Sequence, residues 1–171
     1  MRLLVVRHAI AVDREEYARS HNDDTARPLT PEGRTKMERG AVGIRELVPE
    51  LTTIASSTLK RAFDTATILA RAYGDLPVEK IPELAPGTPL DRTISWLAAL
   101  PTKGNAAVVG HEPDLSRLVS ALLCGADRPF IEFRKGAACL LEFTAPVARG
   151  AGVMDWFLGP KHLRRIGADR D

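Results

Sequence analysis

The stretch Leu3-Leu4-Val5-Val6-Arg7-His8-Ala9 decides how this chain is read. Four consecutive apolar residues without polar alternation are what a strand buried on both faces of a parallel sheet requires. The run stops at Arg7-His8, so two chemically active side chains fall at the carboxyl end of that strand. Working outward, the unit recurs. Thr53-Ile54-Ala55-Ser56, Val78-Glu79-Lys80-Ile81 and Ala106-Ala107-Val108-Val109 read as further short strands, each followed by a helical pattern. Thr30 and Pro31 suit the N-cap and first turn of a helix carrying Met37, Ala41, Ile44 and Val48, stopped by Pro49. A second helix runs from about Thr58 to Tyr73 with Leu59, Phe63, Ala66 and Ala70 on one face and Gly74 as its C-cap. Ile94, Leu97 and Leu100 mark a third helix, and Leu115, Leu118, Val119 and Leu122 a fourth. Two late strands, Ala137 to Phe143 and Val153 to Leu158, suit an antiparallel edge. Asp13 to Arg27 and Pro82 to Pro89 read as loops, the first exposed. The pattern predicts an α/β protein: a three-layer α/β/α sandwich on a mainly parallel sheet with an antiparallel edge.

Length and composition agree with one folded unit. The 171 residues fit a single domain over 1–171, and 44% hydrophobic with 27% charged residues exclude disordered and collagen-like chains. Lys plus Arg total 24 against 22 Asp plus Glu, a net charge of +2, so any preference for anions is local and no nucleic-acid partner is expected. No apolar run approaches the roughly 18 residues of a membrane span, and the N-terminal run is too short for an export signal, which places the expected location in the cytoplasm. Cys124 and Cys139 sit in apolar stretches and read as reduced packing residues.

In open α/β sheets ligands bind beyond the carboxyl ends of the strands. Arg7-His8 follow the first strand, Ser56-Ser57 and then Arg61 the second, and His111-Glu112 the fourth. Two imidazoles and two guanidiniums at one sheet edge suit phosphoryl transfer. Guanidiniums match phosphate oxygens bidentately, and a neutral imidazole can attack phosphorus. Helix starts after Ser57 and near Pro113 add backbone N–H donors. Taken singly, each motif reads as a solvated turn or a surface cation; jointly, at three strand ends of one sheet, they read as a site.

These motifs also resemble the histidine phosphatase superfamily, whose fold is phosphoglycerate mutase-like, and within it the small SixA-like phosphohistidine phosphatases. The likeness spans nearly the whole chain. Leu4-Val5-Val6-Arg7-His8-Ala9 resembles the Arg-His-Gly signature with Ala9 in place of glycine, and Arg27 to Gly33 the start of the first helix. Ser57 to Ala62 with Thr65-Ala66 is similar to the second-arginine motif, with Asp64 where larger relatives commonly have glutamine. Val109 to Pro113 is similar to the second-histidine motif, and Pro82-Glu83-Leu84 and Trp156 to Leu163 complete the series. The resemblance implies His8 as the phosphorylated nucleophile, Arg7 and Arg61 as phosphate-binding groups and His111 as the fourth member. It implies no metal and no cofactor. Glu83 is a candidate proton donor, with Glu112 and Asp91 as alternatives that also suit helix starts, and Arg27 is either a surface charge or a further phosphate ligand.

Larger relatives resemble this chain plus insertions that lid the site, whereas here only Gly74 to Asp91 separates the second helix from the third. That predicts an open pocket able to admit a phosphorylated side chain of another protein, and phosphohistidine asks less of a proton donor than an alkyl ester. The expected partner is a histidine-phosphorylated domain of a signalling or phosphotransfer protein. A broad phosphatase for small esters and a non-catalytic phosphoprotein-binding module are the competing readings. Trp156 reads as core or edge packing, and the basic run Lys161 to Arg165 as a solvated helix face that can also guide an acidic partner.

Overall fold

The computed structural model describes residues 1–168; residues 169–171, the end of the expected domain, lie outside the described residues. In chain order the elements are β1 (Arg2–Arg7), α1 (Arg14–Ala18), α2 (Pro31–Leu47), β2 (Thr53–Ser56), α3 (Lys60–Ala72), β3 (Val78–Lys80), α4 (Leu90–Ala98), β4 (Asn105–Gly110), α5 (Asp114–Cys124), β5 (Ala138–Glu142), β6 (Val153–Leu158) and α6 (Pro160–Ile166). Short 3-10 turns occupy Asp24–Ala26 and Pro82–Leu84.

The six strands form one sheet in the order β3-β2-β4-β1-β5-β6. The pairs β1/β4, β2/β4 and β2/β3 are parallel, while β1/β5 and β5/β6 are antiparallel. Alternation along β1 divides its apolar run between two layers. Leu4 and Val6 pack with Met37, Ile44, Ala66 and Leu163 of α2, α3 and α6, whereas Leu3 and Val5 pack with Leu97, Leu118 and Leu122 of α4 and α5. All four are fully buried, which is why the strand tolerates no polar alternation. The predicted three-layer sandwich is the observed one.

Three local readings change. The stretch 13–27 is not a bare loop: Asp13 caps α1 by accepting the Glu15 and Glu16 N–H groups, and Asp23 accepts the Thr25 N–H to start the turn that follows. Short helices held by one acidic cap leave no apolar periodicity to read. Cys124 is exposed because it is the last residue of α5, whereas Cys139 is buried within β5 as expected. Leu100 falls beyond α4. Among the described residues no helix is long and apolar enough to cross a membrane.

Helix α2 packs closely on two neighbours. A Cβ at Gly33 would lie 2.1 Å from the Ile10 carbonyl oxygen, and one at Gly43 would lie 1.9 Å from that of Leu163. These approaches seat α2 against the loop after His8 and against α6. Gly40, on the same helix, has nothing within 4 Å of its would-be Cβ. Thermal unfolding should therefore separate them: Gly40→Ala raises stability by about 0.4–1 kcal/mol through the unfolded chain, and Gly43→Ala lowers it by about 1–3 kcal/mol by displacing α6.

Candidate active site

Parallel pairing of β1 with β4 runs from Arg2 opposite Asn105 to Arg7 opposite Gly110. The next residues, His8 and His111, therefore emerge level with one another. The His8 N–H continues the ladder to the Gly110 carbonyl at 3.0 Å, and the Ser57 N–H reaches the Val109 carbonyl at 2.9 Å. Three strand ends thus deliver His8, Ser57 and His111 to one point. The two imidazoles lie 5.1 Å apart between ring centres, and both are buried.

Hydrogen bonding fixes how each ring presents itself. His8 Nδ1 lies 2.8 Å from the Ala9 carbonyl oxygen. A carbonyl only accepts, so Nδ1 carries the hydrogen and Nε2 keeps its lone pair. His111 Nε2 lies 2.8 Å from Ser57 Oγ. That oxygen already accepts the Leu59 N–H at 3.3 Å, so its own hydrogen is free to point at His111 Nε2. With Ser57 donating to Nε2, the hydrogen of the neutral His111 ring sits on Nδ1, which is buried without a partner. Burial pushes both imidazoles down to about 3, and the nearby cations Arg61 and Arg7 add to the effect; for His111 the largest neighbour contribution comes from His8. At neutral pH both rings are therefore neutral.

The guanidiniums are anchored on one side only. Arg7 donates from Nη1 to the Phe133 carbonyl, while its Nε is buried and unpartnered. Arg61 donates from Nη1 to the Asp24 carbonyl at 3.1 Å and pairs with Asp24 Oδ2 at 3.2 Å, and its Nε is likewise buried and free of partners. Asp24 also accepts from Arg27 Nε at 2.7 Å, and Arg27 Nη1 donates to the Val12 carbonyl at 2.7 Å. Despite the cost of its own desolvation, the three guanidiniums of Arg27, Arg61 and Arg14 keep the Asp24 carboxyl below its ordinary range. Thr65 ties α3 to the loop after His8, accepting the Ala9 N–H at 3.0 Å and donating to the Arg61 carbonyl at 2.7 Å.

The sequence-predicted residues therefore separate. His8, Arg7, Arg61 and His111 converge. Arg27 is buried and joins Arg61 through Asp24 instead of lying on the surface. Glu83 lines a small cavity with His111, and its carboxylate lies 3.4 Å from Arg92. Glu112 accepts the Ser116 hydroxyl at 2.7 Å and the Phe133 N–H at 3.3 Å, so it steadies the same peptide segment that holds Arg7. Asp91 is exposed and paired with Arg149. Sequence reading missed Asp24, whose residue type in a polar stretch carries no signal until the fold brings Arg61 to it. Asp24, in the turn after α1, lies against the buried Arg61 side chain. Among the described residues no three His, Cys, Asp or Glu side chains cluster to hold a metal ion.

Comparison with known proteins places the chain by family and fold. A family model described as histidine phosphatase superfamily (branch 1) matches residues 3–85. An uncharacterized protein of Picosynechococcus is 34% identical over 137 residues, covering 79% of this chain and 81% of that protein. The solved structure of the protein histidine phosphatase SixA complexed with tungstate superposes with a TM-score of 0.80 at 25% identity, over 95% of this chain and 99% of that one. A candidate SixA phosphohistidine phosphatase from Agrobacterium tumefaciens gives 0.76 at 22% identity, over 93% and 97% of the two chains, a likeness of fold.

The buried neutral rings make stability depend on pH. A histidine whose folded value, about 3, lies below its ordinary 6.5 binds its proton more weakly in the folded chain than in the unfolded one. Unfolding then takes up protons in that window, so stability is complete above pH 6.5 and falls as the pH drops towards 3. Urea midpoints measured downward from pH 7.5 should show this slope in the wild type and a shallower one in the His8→Asn, His111→Asn double variant.

Proposed function

The chain belongs to the histidine phosphatase superfamily, and within it we propose that this protein is a metal-independent phosphatase that removes phosphoryl groups from phosphohistidine on a signalling or phosphotransfer protein. The observation that carries this reading is the set of three buried, unpartnered nitrogens, Arg7 Nε, Arg61 Nε and His111 Nδ1, grouped around a histidine whose Nε2 lone pair is free. Donors left unpaired at such cost suit a tetrahedral oxyanion. That the SixA relative is complexed with tungstate, itself a tetrahedral oxyanion, supports the same ligand class.

In the proposed cycle, His8 Nε2 forms a bond to phosphorus as the bond to the leaving nitrogen breaks, and that nitrogen leaves with the electron pair and takes up a proton. Water then attacks the phosphoryl group on Nε2, releasing phosphate and the neutral ring. Arg7, Arg61 and His111 would hold the equatorial oxygens while charge develops there, each stronger in a water-poor site than in bulk solvent. A pocket that only bound phosphate would need the arginines and not the Nε2 lone pair, which disfavours the non-catalytic alternative.

Proton donation separates phosphohistidine from alkyl esters. Glu112 is held by Ser116 and Phe133 and Asp91 by Arg149, whereas Glu83, although paired with Arg92 at 3.4 Å, lines the cavity with His111 and is the acid candidate. An imidazole leaving group departs with less help than an alkoxide, so a single, partly exposed acid favours the phosphoramidate.

Turnover of a histidine-phosphorylated protein, an aryl ester and an alkyl ester, without added metal, tests the reading. The kcat/KM should fall in that order, an alkaline denaturing quench with labelled substrate should trap a base-stable, acid-labile adduct on the wild type and none on His8→Ala, and Glu83→Gln should slow the alkyl ester most. Rapid alkyl ester hydrolysis, or label retained without His8, overturns it. Separately, Arg61→Ala should lower kcat/KM by on the order of 10²–10³, the usual cost of one charge-stabilising donor; a surface cation would leave it within about twofold.

A further inference from the structure

Beside the phosphate site lies a separate groove of about 520 Å³. Ala9, the residue after His8, forms part of its wall, and so does Gly136, whose N–H lies 3.2 Å from the His8 carbonyl. Its apolar lining comes from Met37 of α2, Phe157 of β6 and Pro160 of α6. Its charged lining is almost entirely basic: Lys36, Arg134, Lys135, Lys161 and Arg164, against Glu132. Lys36 is paired with Glu32, but Arg134, Lys135 and Lys161 are exposed and make no ion pair among the described residues. The cations come from three separate places, α2, the segment before β5, and α6.

This arrangement differs in kind from the site at His8. There the donors are buried and converge on one point, as a single phosphate demands. Here long, solvated side chains are spread along an apolar trough, which suits several carboxylates distributed along a chain with apolar side chains between them. We propose that the groove docks an acidic, amphipathic segment flanking the phosphorylated residue of a protein substrate. The proposal rests on the reading of the protein as a phosphoprotein phosphatase and adds how its substrate is chosen. It also gives the basic run at Lys161 a use: that lysine and Arg164 form one side of the trough, and the +2 balance of the whole chain conceals a locally basic face. Cations of this kind raise the rate of encounter with an acidic partner and are screened by salt.

The test uses two synthetic phosphohistidine peptides, one flanked by Glu and Leu and the other by Lys and Ser, with para-nitrophenyl phosphate as the small substrate. On the wild type at low salt, kcat/KM for the acidic peptide should exceed that for the basic one by about tenfold or more, and the gap should narrow as salt is added. The double variant Arg134→Glu, Lys161→Glu should abolish the preference through KM while leaving turnover of the aryl ester within about twofold. Equal wild-type rates on the two peptides, or a variant that loses aryl ester turnover as severely as peptide turnover, overturn the proposal. So does inorganic tripolyphosphate displacing the acidic peptide more tightly than an equal-charge peptide does, which would make the groove a site for small polyanions. If the aryl ester is hydrolysed and neither phosphopeptide is, the phosphohistidine reading fails. Binding of the fluorescein-labelled, unphosphorylated acidic peptide then decides the groove alone: affinity lost on charge reversal upholds it, and absent binding overturns it.

Discussion

Three nitrogens buried without partners around one imidazole are the constraint on which the rest of this structure depends. Leaving a buried donor unsatisfied costs about 1–3 kcal/mol each, against a net stability for a domain of about 5–15 kcal/mol. The surroundings hold that arrangement in place. Val6 and Val109 bury the strand ends from which His8 and His111 emerge, and Ser57 fixes the far side of the His111 ring. Phe133 and Asp24 each take one edge of an arginine and leave the other unpaired. The same desolvation that burdens the empty fold strengthens every interaction with an arriving oxyanion, so part of the cost returns as binding energy.

Charge explains why Asp24 matters as much as any residue that would touch phosphate. Burial first, and then the charges of Arg27 and Arg14, disfavour the charged form of Arg61, while Asp24 favours it. One carboxylate meets all three, at 3.2 Å from Arg61, 2.7 Å from Arg27 and 4.0 Å from Arg14. It also caps the edge of Arg61 that faces the turn after α1. A single carboxylate does not neutralise three guanidiniums, and the remaining positive charge is available to a dianion.

How much of this was legible in the sequence follows from the range of each interaction. The unbroken run Leu3 to Val6 fixed a strand buried on both faces, and its repetition with intervening helices fixed the layer order, because periodicity is a local property. The positions of His8, Arg61 and His111 followed from the rule that strand carboxyl ends share one edge. Asp24, Ser57 as the partner of His111, and the Glu112-Phe133-Arg7 connection were not legible, since each joins residues distant in sequence through contacts that leave no pattern. For the same reason no local pattern separates a surface role for Arg27 from a site role. Cys124 was misread because an apolar neighbourhood in sequence says nothing about a helix reaching its end there.

The protonation states connect the fold to the proposed reaction. With both rings neutral, His8 keeps its Nε2 lone pair throughout the neutral pH range, and the carbonyl of Ala9 keeps the hydrogen on Nδ1. An arriving phosphate dianion reverses the sign of the local field. Opposite charge favours the protonated form of a neighbouring imidazole, and His111, whose Nδ1 has no competing partner, can meet the dianion as a donor whether neutral or protonated. His8 differs, because protonation at Nε2 would remove the lone pair that attacks. The two histidines are thus made unequal by their second nitrogens alone, one held by a carbonyl that can only accept, the other by a serine hydroxyl that can turn. A hydroxyl that can either donate or accept lets His111 gain and lose a proton without moving its ring, whereas the Ala9 carbonyl holds His8 in one tautomer.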